Sequence, residues 1–421
     1  MWVRICTEGP EDLRYEPQLR RLPLPCCPPG QQPLLCEVSV NVSNLSSAPR
    51  IRVAVVGLEF GAEFVPIYKA HPNVAEVIIC DLKPENLTRV GDRAGVTRRY
   101  QRLEDVLAAD DIDAVHLVTP VTLHGAHSLA VLEARKHCAC TIPMALTMDE
   151  LVKIVALQKA VDRTYMMMET AAFTREFLYV QERLRRGDFG RIAFARGHHL
   201  QDMEGWPDYW LGFPPLAHIT HALGPVLALL QTRATKVHCF GSGWMPESMT
   251  SRYGNPFPVE TAIFRLEGTD VAVEITRNMF QMARPYSEAF SIYGDRLGFE
   301  WPQLEEEKPL LFTMGALTEK RGRPISVERI DVPDYAHVLP PEIGGFTCKS
   351  VHSDGGHLSY VQGGGHGGSH PHLVHEFVSS IVSNRKPLID AVTAADWTAA
   401  GLAAHESAMN DGTEVTIPAF D

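Results

Sequence analysis

Ile51-Arg-Val-Ala-Val-Val56, running into Gly57-Leu-Glu-Phe-Gly-Ala62, decides the fold. The first six residues are nearly all apolar and mostly β-branched, the pattern of a short strand buried on both faces. Gly57 ends it with a tight turn, and a helix follows through Ile67 and Lys69. Working outward, the same unit recurs. A second strand covers residues 74–80 and ends at Asp81, a helix reaches Gly95, and another spans 103–109. A third strand at 114–118 leads into Thr119-Pro120 and a helix over 124–136. A fourth strand at 138–141, a helix at 148–162 and a fifth strand at 164–168 complete the series. Strands alternating with helices through short connections predict a parallel, doubly wound sheet of the Rossmann type.

The pattern changes after Thr170. Residues 177–186 read as a helix stopped by Gly187-Asp-Phe-Gly190. Strand candidates then cluster at 192–199, 235–241, 259–267, 270–278 and 288–293, with Glu267-Gly268-Thr269-Asp270 as a hairpin signal. Helices are expected near 372–384 and 391–409. The fold class is therefore α/β: a Rossmann domain followed by an α+β domain on an open, mostly antiparallel sheet. A chain of 421 residues suits about two domains. The expected division is a loosely ordered extension at 1–50, a coenzyme domain at 51–170 and a substrate domain at 171–421, its terminal helices packing back.

Bulk chemistry narrows the function. A net charge of −12 argues against a nucleic-acid groove and against binding to an anionic membrane. No run of about 18 apolar residues is present, so no spanning helix is expected. The first residues do not form a secretory leader, and the 9 Cys lack the spacing of a disulfide framework. A cytoplasmic location is expected.

The turn after the first strand approximates the G-x-G-x-x-G/A dinucleotide fingerprint. Gly57 fits the tight turn and Ala62 the close contact between helix and sheet. Glu59 replaces the glycine that normally lets the backbone approach the pyrophosphate, and its carboxylate repels phosphate. Asp81 stands where an acid takes the ribose hydroxyls, about 20 residues on, which favours NAD over NADP. Gly57, Leu58, Glu59, Phe60 and Asp81 are thus the coenzyme candidates.

Several blocks together resemble the Gfo/Idh/MocA oxidoreductase family from Arg50 to the end. They are Val55-Val-Gly-Leu58, Asp81, Val118-Thr-Pro-x-x-x-His124, Thr141-Ile-Pro143, Met166-Met-Met-Glu169 and Thr220-His-Ala-Leu-Gly-Pro225. The resemblance implies NAD(P)-dependent hydride transfer to or from a carbohydrate or polyol, and a homo-oligomer. It adds Thr119, Pro120, His124, Pro143 and Glu169 to the coenzyme side and gives His221 a catalytic role. Typical members carry Glu-Lys-Pro where this chain has Thr141-Ile142-Pro143, and Ile142 cannot move a proton as their lysine does. Typical members also place Asp where this chain has Ala217. A branch with NAD-dependent glycoside hydrolases is similar at Met166–Glu169, at Thr220–Pro225 and at Gly365-His-Gly-Gly368, and it also lacks that lysine. Transient C3 oxidation with elimination and hydration is the activity it implies. A non-catalytic nucleotide-binding homologue is the third alternative.

The remaining candidates come from local chemistry. A helix starting near Leu216 would set His218 and His221 on one face. Asp202-Met-Glu-Gly-Trp-Pro-Asp-Tyr-Trp210 is aromatic and acidic, suited to a sugar or to a subunit interface. It supplies Trp206 and Asp208 as substrate contacts and Tyr209 as a proton donor. Gly363-Gly-Gly-His-Gly-Gly-Ser-His370 reads as a glycine loop over the substrate, led by His366. The pair His370 and His372 lacks further ligands in the sequence, so no metal is expected.

Overall fold

The computed structural model describes residues 49–304, 307–353 and 359–420. The expected extension at 1–50 lies, but for Pro49 and Arg50, outside the described residues.

The first sheet has six strands: β1 (Ile51–Val56), β2 (Val74–Cys80), β3 (Arg99–Tyr100), β4 (Ala114–Leu117), β5 (His137–Cys140) and β6 (Tyr165–Met167). All pair in parallel, in the order β3-β2-β1-β4-β5-β6. Strand order reverses between β1 and β4, which opens a crevice at their carboxyl ends. The helices α1 (Val65–Ala70), α2 (Pro84–Ala94), α3 (Leu103–Ala108), α4 (His124–Glu133) and α5 (Met148–Val161) supply the crossovers. β3 escaped the sequence reading because two half-buried residues carry no period. The helix after Gly57 also starts differently, with a 3-10 turn at Gly61–Glu63 preceding α1.

After α6 (Arg175–Arg185) come β7 (Ile192–Leu200), α7 (Thr220–Leu230), β8 (Ala234–Ser242), the short α8 (Glu247–Thr250), β9 (Val259–Leu266), β10 (Ala272–Asn278) and β11 (Ser287–Gly294). β12 (Leu297–Glu300), β13 (Leu310–Met314) and β14 (Ile325–Arg329) extend the sheet. Then follow α9 (Pro341–Gly344), the hairpin β15 (Ser350–Ser353) and β16 (Ser359–Gln362), α10 (His370–Val382), α11 (Ala391–Met409) and β17 (Val415–Thr416). The second sheet has nine strands, ordered β14-β13-β12-β11-β7-β10-β9-β8-β17. It is antiparallel except where β10 runs parallel to β7.

The strands β12 to β14 were not read from the sequence. β14 is exposed at every residue, so no alternation of apolar and polar positions marks it. The expected helix from Leu216 is likewise split, into a 3-10 turn at Pro215–His218 and α7 from Thr220. α11 packs against α5 and β6 of the first sheet and against β8 of the second.

α7 lies across β7 and β11. Its approach to β7 is close enough that a Cβ on Gly197 would meet the Ala222 carbonyl oxygen at 2.2 Å. A larger residue there would lift the helix and carry His221 away from the sheet. On β7, β10 and β11 the register aligns His199 with both Arg277 and Glu288. Three polar side chains thus stand side by side beneath α7.

Candidate active site

The crevice between β1 and β4 is drawn tight by Gly57. Its φ is +92°, and a Cβ there would lie 2.3 Å from the Val118 carbonyl oxygen. Only glycine fits that turn without displacing backbone. The Leu58 amide donates to Asp81 Oδ2 at 2.7 Å, and Lys83 N and Asn86 Nδ2 also donate to that carboxylate, at 2.8 and 3.3 Å. Among the described residues the amides of Glu59 and Phe60 meet no acceptor. Glu59 points outward and pairs with Lys83, Nζ to Oε1 at 2.6 Å. Its charge is therefore offset beside the turn. The close helix–sheet contact expected of Ala62 belongs to Gly61, where a Cβ would press on Val55 and Val118 at 3.2 and 3.3 Å. Ala62 sits one residue further round, half-buried.

Thr119 and Pro120 follow β4 at the same crevice. His124 is turned inward beneath them, with Nδ1 2.7 Å from the Pro143 carbonyl and Nε2 2.9 Å from the Thr119 carbonyl. With both nitrogens facing carbonyl oxygens, His124 ties two loops together and offers no nitrogen to the crevice. The buried Pro143 takes part through its carbonyl.

Where the two sheets meet lies a buried polar cluster. Glu169, just past β6, is fully buried and its carboxylate accepts from His221 Nδ1 at 2.6 Å. Oε1 of the same group accepts the Ala171 amide at 2.8 Å, and Oε2 has no partner. Glu288 Oε1 approaches His221 Nδ1 at 3.5 Å, while the Tyr286 hydroxyl donates to Glu288 Oε2. Burial works against a charge on His221, but the carboxylates of Glu169 and Glu288 outweigh it and hold the imidazole above its ordinary value. Burial likewise favours a neutral Glu169, yet His221 outweighs it and holds the carboxyl below its usual range. A carboxylate fixing one ring nitrogen leaves the other directed to a ligand, an arrangement suited to proton transfer.

His218 and His199 complete the cluster. Ring centroids lie 5.3 Å apart for His218 and His221, and 4.9 Å for His199 and His221. Burial and Arg277 lower His199 well below its ordinary value, and burial does the same to His218. Arg277 is itself fully buried, donating to the carbonyls of His199 and Asn278 at 3.1 and 2.7 Å.

The structure thus gathers His221, His218 and Glu169, and brings His366 to within 6.3 Å of the His221 ring. Phe60, of the turn after β1, packs on His366 and His370 at 5.5 Å, so the glycine loop reaches that turn. His366 and His370 bond each other at 3.2 Å. Tyr209 is set apart from His221: its phenol is within electrostatic reach of Glu59 and Lys83, and burial raises its pKa. Trp206 and Asp208 are exposed on the same loop, and neither meets the histidine cluster. His199, Arg277, Tyr286 and Glu288 were not singled out by the sequence reading. The signal was present: His199 and Arg277 fall in phase with the buried positions of their strands.

Proteins of known name are similar to this chain in sequence or in fold. The chain is 23% identical to a glycosyl hydrolase family 109 protein of Saccharopolyspora erythraea, over 88% of this chain and 83% of the relative. It is also 23% identical to glycosyl hydrolase family 109 protein 1 of Bacteroides thetaiotaomicron, over 94% and 89%. Among solved structures, levoglucosan dehydrogenase in complex with NADH superposes with a TM-score of 0.68 at 18% identity, over 88% of this chain and all (100%) of that one. Myo-inositol 2-dehydrogenase from Lactobacillus plantarum gives 0.63 at 15%, over 88% and 100%. The resemblance read from the sequence holds, and residues 51–169 match the Gfo/Idh/MocA model, described as an oxidoreductase family with an NAD-binding Rossmann fold.

Proposed function

We propose that the chain is an NAD-dependent oxidoreductase that moves a hydride to or from a hydroxyl-bearing carbon of a carbohydrate or polyol. The observation that carries this reading is the buried Glu169–His221 pair lying where the Rossmann sheet meets the second sheet. The turn at Gly57, Leu58, Glu59 and Phe60, with its free amides, would hold the pyrophosphate, and Asp81 the adenosine ribose. Thr119 and Pro120 would flank the nicotinamide side, braced by His124 and Pro143. When bound, the coenzyme supplies the hydride acceptor. His221, fixed through Nδ1, accepts the substrate hydroxyl proton at Nε2, and His218 lines the same wall. His366 closes the glycine loop over the substrate, while Trp206, Asp208 and Tyr209 form its outer rim.

The acid at position 81 favours NAD over NADP by repelling a 2′-phosphate. The same reading divides the chain into a coenzyme domain at 51–170 and a substrate domain at 171–421, in a cytoplasmic homo-oligomer. Exposed Phe240 and Ile263 on the outer face of the open sheet fit a subunit contact. Sedimentation of the purified chain tests it.

A redox-neutral glycosidase is the second reading, favoured by relatives named glycosyl hydrolase family 109 and by Ile142 in place of a proton-moving lysine. One experiment separates the two. Denatured protein is assayed for released NAD(H), and the native protein is then given NAD with free polyols and with aryl glycosides. Stoichiometric NADH supports the dehydrogenase. Aglycone release without NADH replaces it with the glycosidase. An empty protein with no affinity for NAD overturns both.

A further inference from the structure

We propose that His199, His218 and His221 form a binding site for a divalent transition-metal ion, with a fourth position open to an oxygen ligand. The three residues come from three different segments: the end of β7, the 3-10 turn before α7, and the first turn of α7. Each is buried, at 2, 8 and 9% exposure. Each can offer one ring nitrogen such that the three atoms lie within 4.8 Å of one another. In a tetrahedral site with metal–nitrogen bonds of about 2.0–2.1 Å the ligand atoms are roughly 3.3 Å apart, so modest ring rotations close the cluster on an ion.

Unsatisfied groups point the same way. Neither ring nitrogen of His199 has a partner, nor has Nδ1 of His218. Buried polar groups are seldom left unpaired, and an imidazole with two bare nitrogens needs a cause. Neutral imidazoles offer lone pairs, and a metal ion is the partner that three such lone pairs can share.

Glu169 strengthens the assignment. A metal-bound histidine usually gives its other N–H to a carboxylate, which fixes the ring and raises its basicity. His221 makes that bond through Nδ1, leaving Nε2 as its ligand atom. Three imidazoles without a thiolate suit zinc, cobalt or nickel better than magnesium or calcium. Charge sets the fourth ligand. Arg277 and a divalent ion bring three positive charges against the two of Glu169 and Glu288, so an anionic oxygen, hydroxide or a substrate alkoxide, restores balance. Ion and proton compete for His221 Nε2, so in the loaded site an ion-bound hydroxide takes the substrate hydroxyl proton instead, and the water so formed gives up its place to the alkoxide. Only this last use rests on the oxidoreductase reading.

The test is a cobalt(II) titration of the full chain, stripped with a chelator and free of coenzyme, followed by visible absorption. One equivalent of cobalt giving the intense d–d bands of a four-coordinate ion is expected. His199→Ala and His218→Ala should abolish the bands, whereas His238→Ala, at the surface, should keep them. His218→Cys should add a sulfur-to-cobalt charge-transfer band, a gained signal that no loss of folding can mimic. Absence of stoichiometric cobalt in wild-type protein that is folded by circular dichroism overturns the proposal. So does a spectrum indifferent to all three substitutions at His199 and His218. Coenzyme affinity measured on the same preparation reports separately. Cobalt binding without it removes the oxidoreductase reading and leaves the metal site, and coenzyme binding without cobalt does the reverse.

Discussion

Lys83 Nζ stands 2.6 Å from Glu59 Oε1, so the acid that breaks the dinucleotide fingerprint carries its own counter-ion. The pair is largely exposed, with 57% of the lysine side chain and 64% of the glutamate accessible, so solvent and salt screen it and it is weak. Glu59→Gly should therefore tighten NAD binding by no more than about fivefold, by freeing the lysine for phosphate. Lys83→Ala should weaken it by a similar factor, and the double variant should return near wild type. Calorimetry at two salt concentrations reads this, since screening must shrink each change. A loss of affinity in Glu59→Gly would show that the carboxylate contributes to the bound state.

Gly57 and Gly61 make contrasting demands. A methyl at Gly57 meets a backbone oxygen at 2.3 Å and also forces a side chain into a positive φ. Gly57→Ala should destabilise by about 3 kcal/mol and reduce coenzyme affinity more than tenfold. At Gly61 the same methyl meets only side-chain atoms of Val55 and Val118, at 3.2–3.3 Å, which can shift. Gly61→Ala should lower stability by about 1 kcal/mol. Thermal unfolding that ranks the two in the opposite order would contradict the observed path of the turn.

How far the sequence speaks depends on periodicity. β1, β2, β4, β5 and β6 were legible because strands buried on both faces make short, mostly apolar runs between turns. The strands β7 to β11 were legible because one face is wet and residues alternate. β14 has no buried face, and β3 is too short, so neither leaves a pattern. At the site, His221 was singled out through the blocks around it, and Glu169, expected on the coenzyme side, accepts from its Nδ1. That contact spans 52 positions. Nothing local encodes it, because it arises from packing α7 against the end of β6. His199, Arg277 and Glu288 become a group only once strand register is known.

Glu176 gives a pH dependence of stability. Its carboxyl lies under the Gly367 turn, Oε2 is without a partner, and burial pushes its pKa up to about 7 from 4.5. The folded state thus holds a proton that the unfolded chain releases above pH 4.5. Stability from this group is complete below that value and is lost as pH rises to about 7, by on the order of 3 kcal/mol. Glu176→Gln should flatten the denaturation midpoint between pH 5 and 8, and should make the protein more stable than wild type at pH 8. An unchanged pH slope would place the ionised carboxylate in contact with solvent.

The Glu169–His221 contact separates positioning from reaction. His221→Ala removes the imidazole proposed to face the substrate, and turnover should fall by about 10³-fold with coenzyme affinity unchanged. Glu169→Gln keeps an oxygen that can accept from Nδ1 and from the Ala171 amide, so the fold should survive. It removes the negative charge that supports a positive imidazole, so kcat should fall by about 10²-fold while KM changes little. A positioning role also requires the loss to be non-additive: in the double variant, changing Glu169 should add almost nothing to His221→Ala. Full additivity would mean that Glu169 acts on something other than His221. Loss of coenzyme affinity in both variants would make the pair a scaffold between the two sheets, and the proton acceptor would then have to be sought at Glu288, which adjoins the same ring, or at Tyr286, which donates to Glu288.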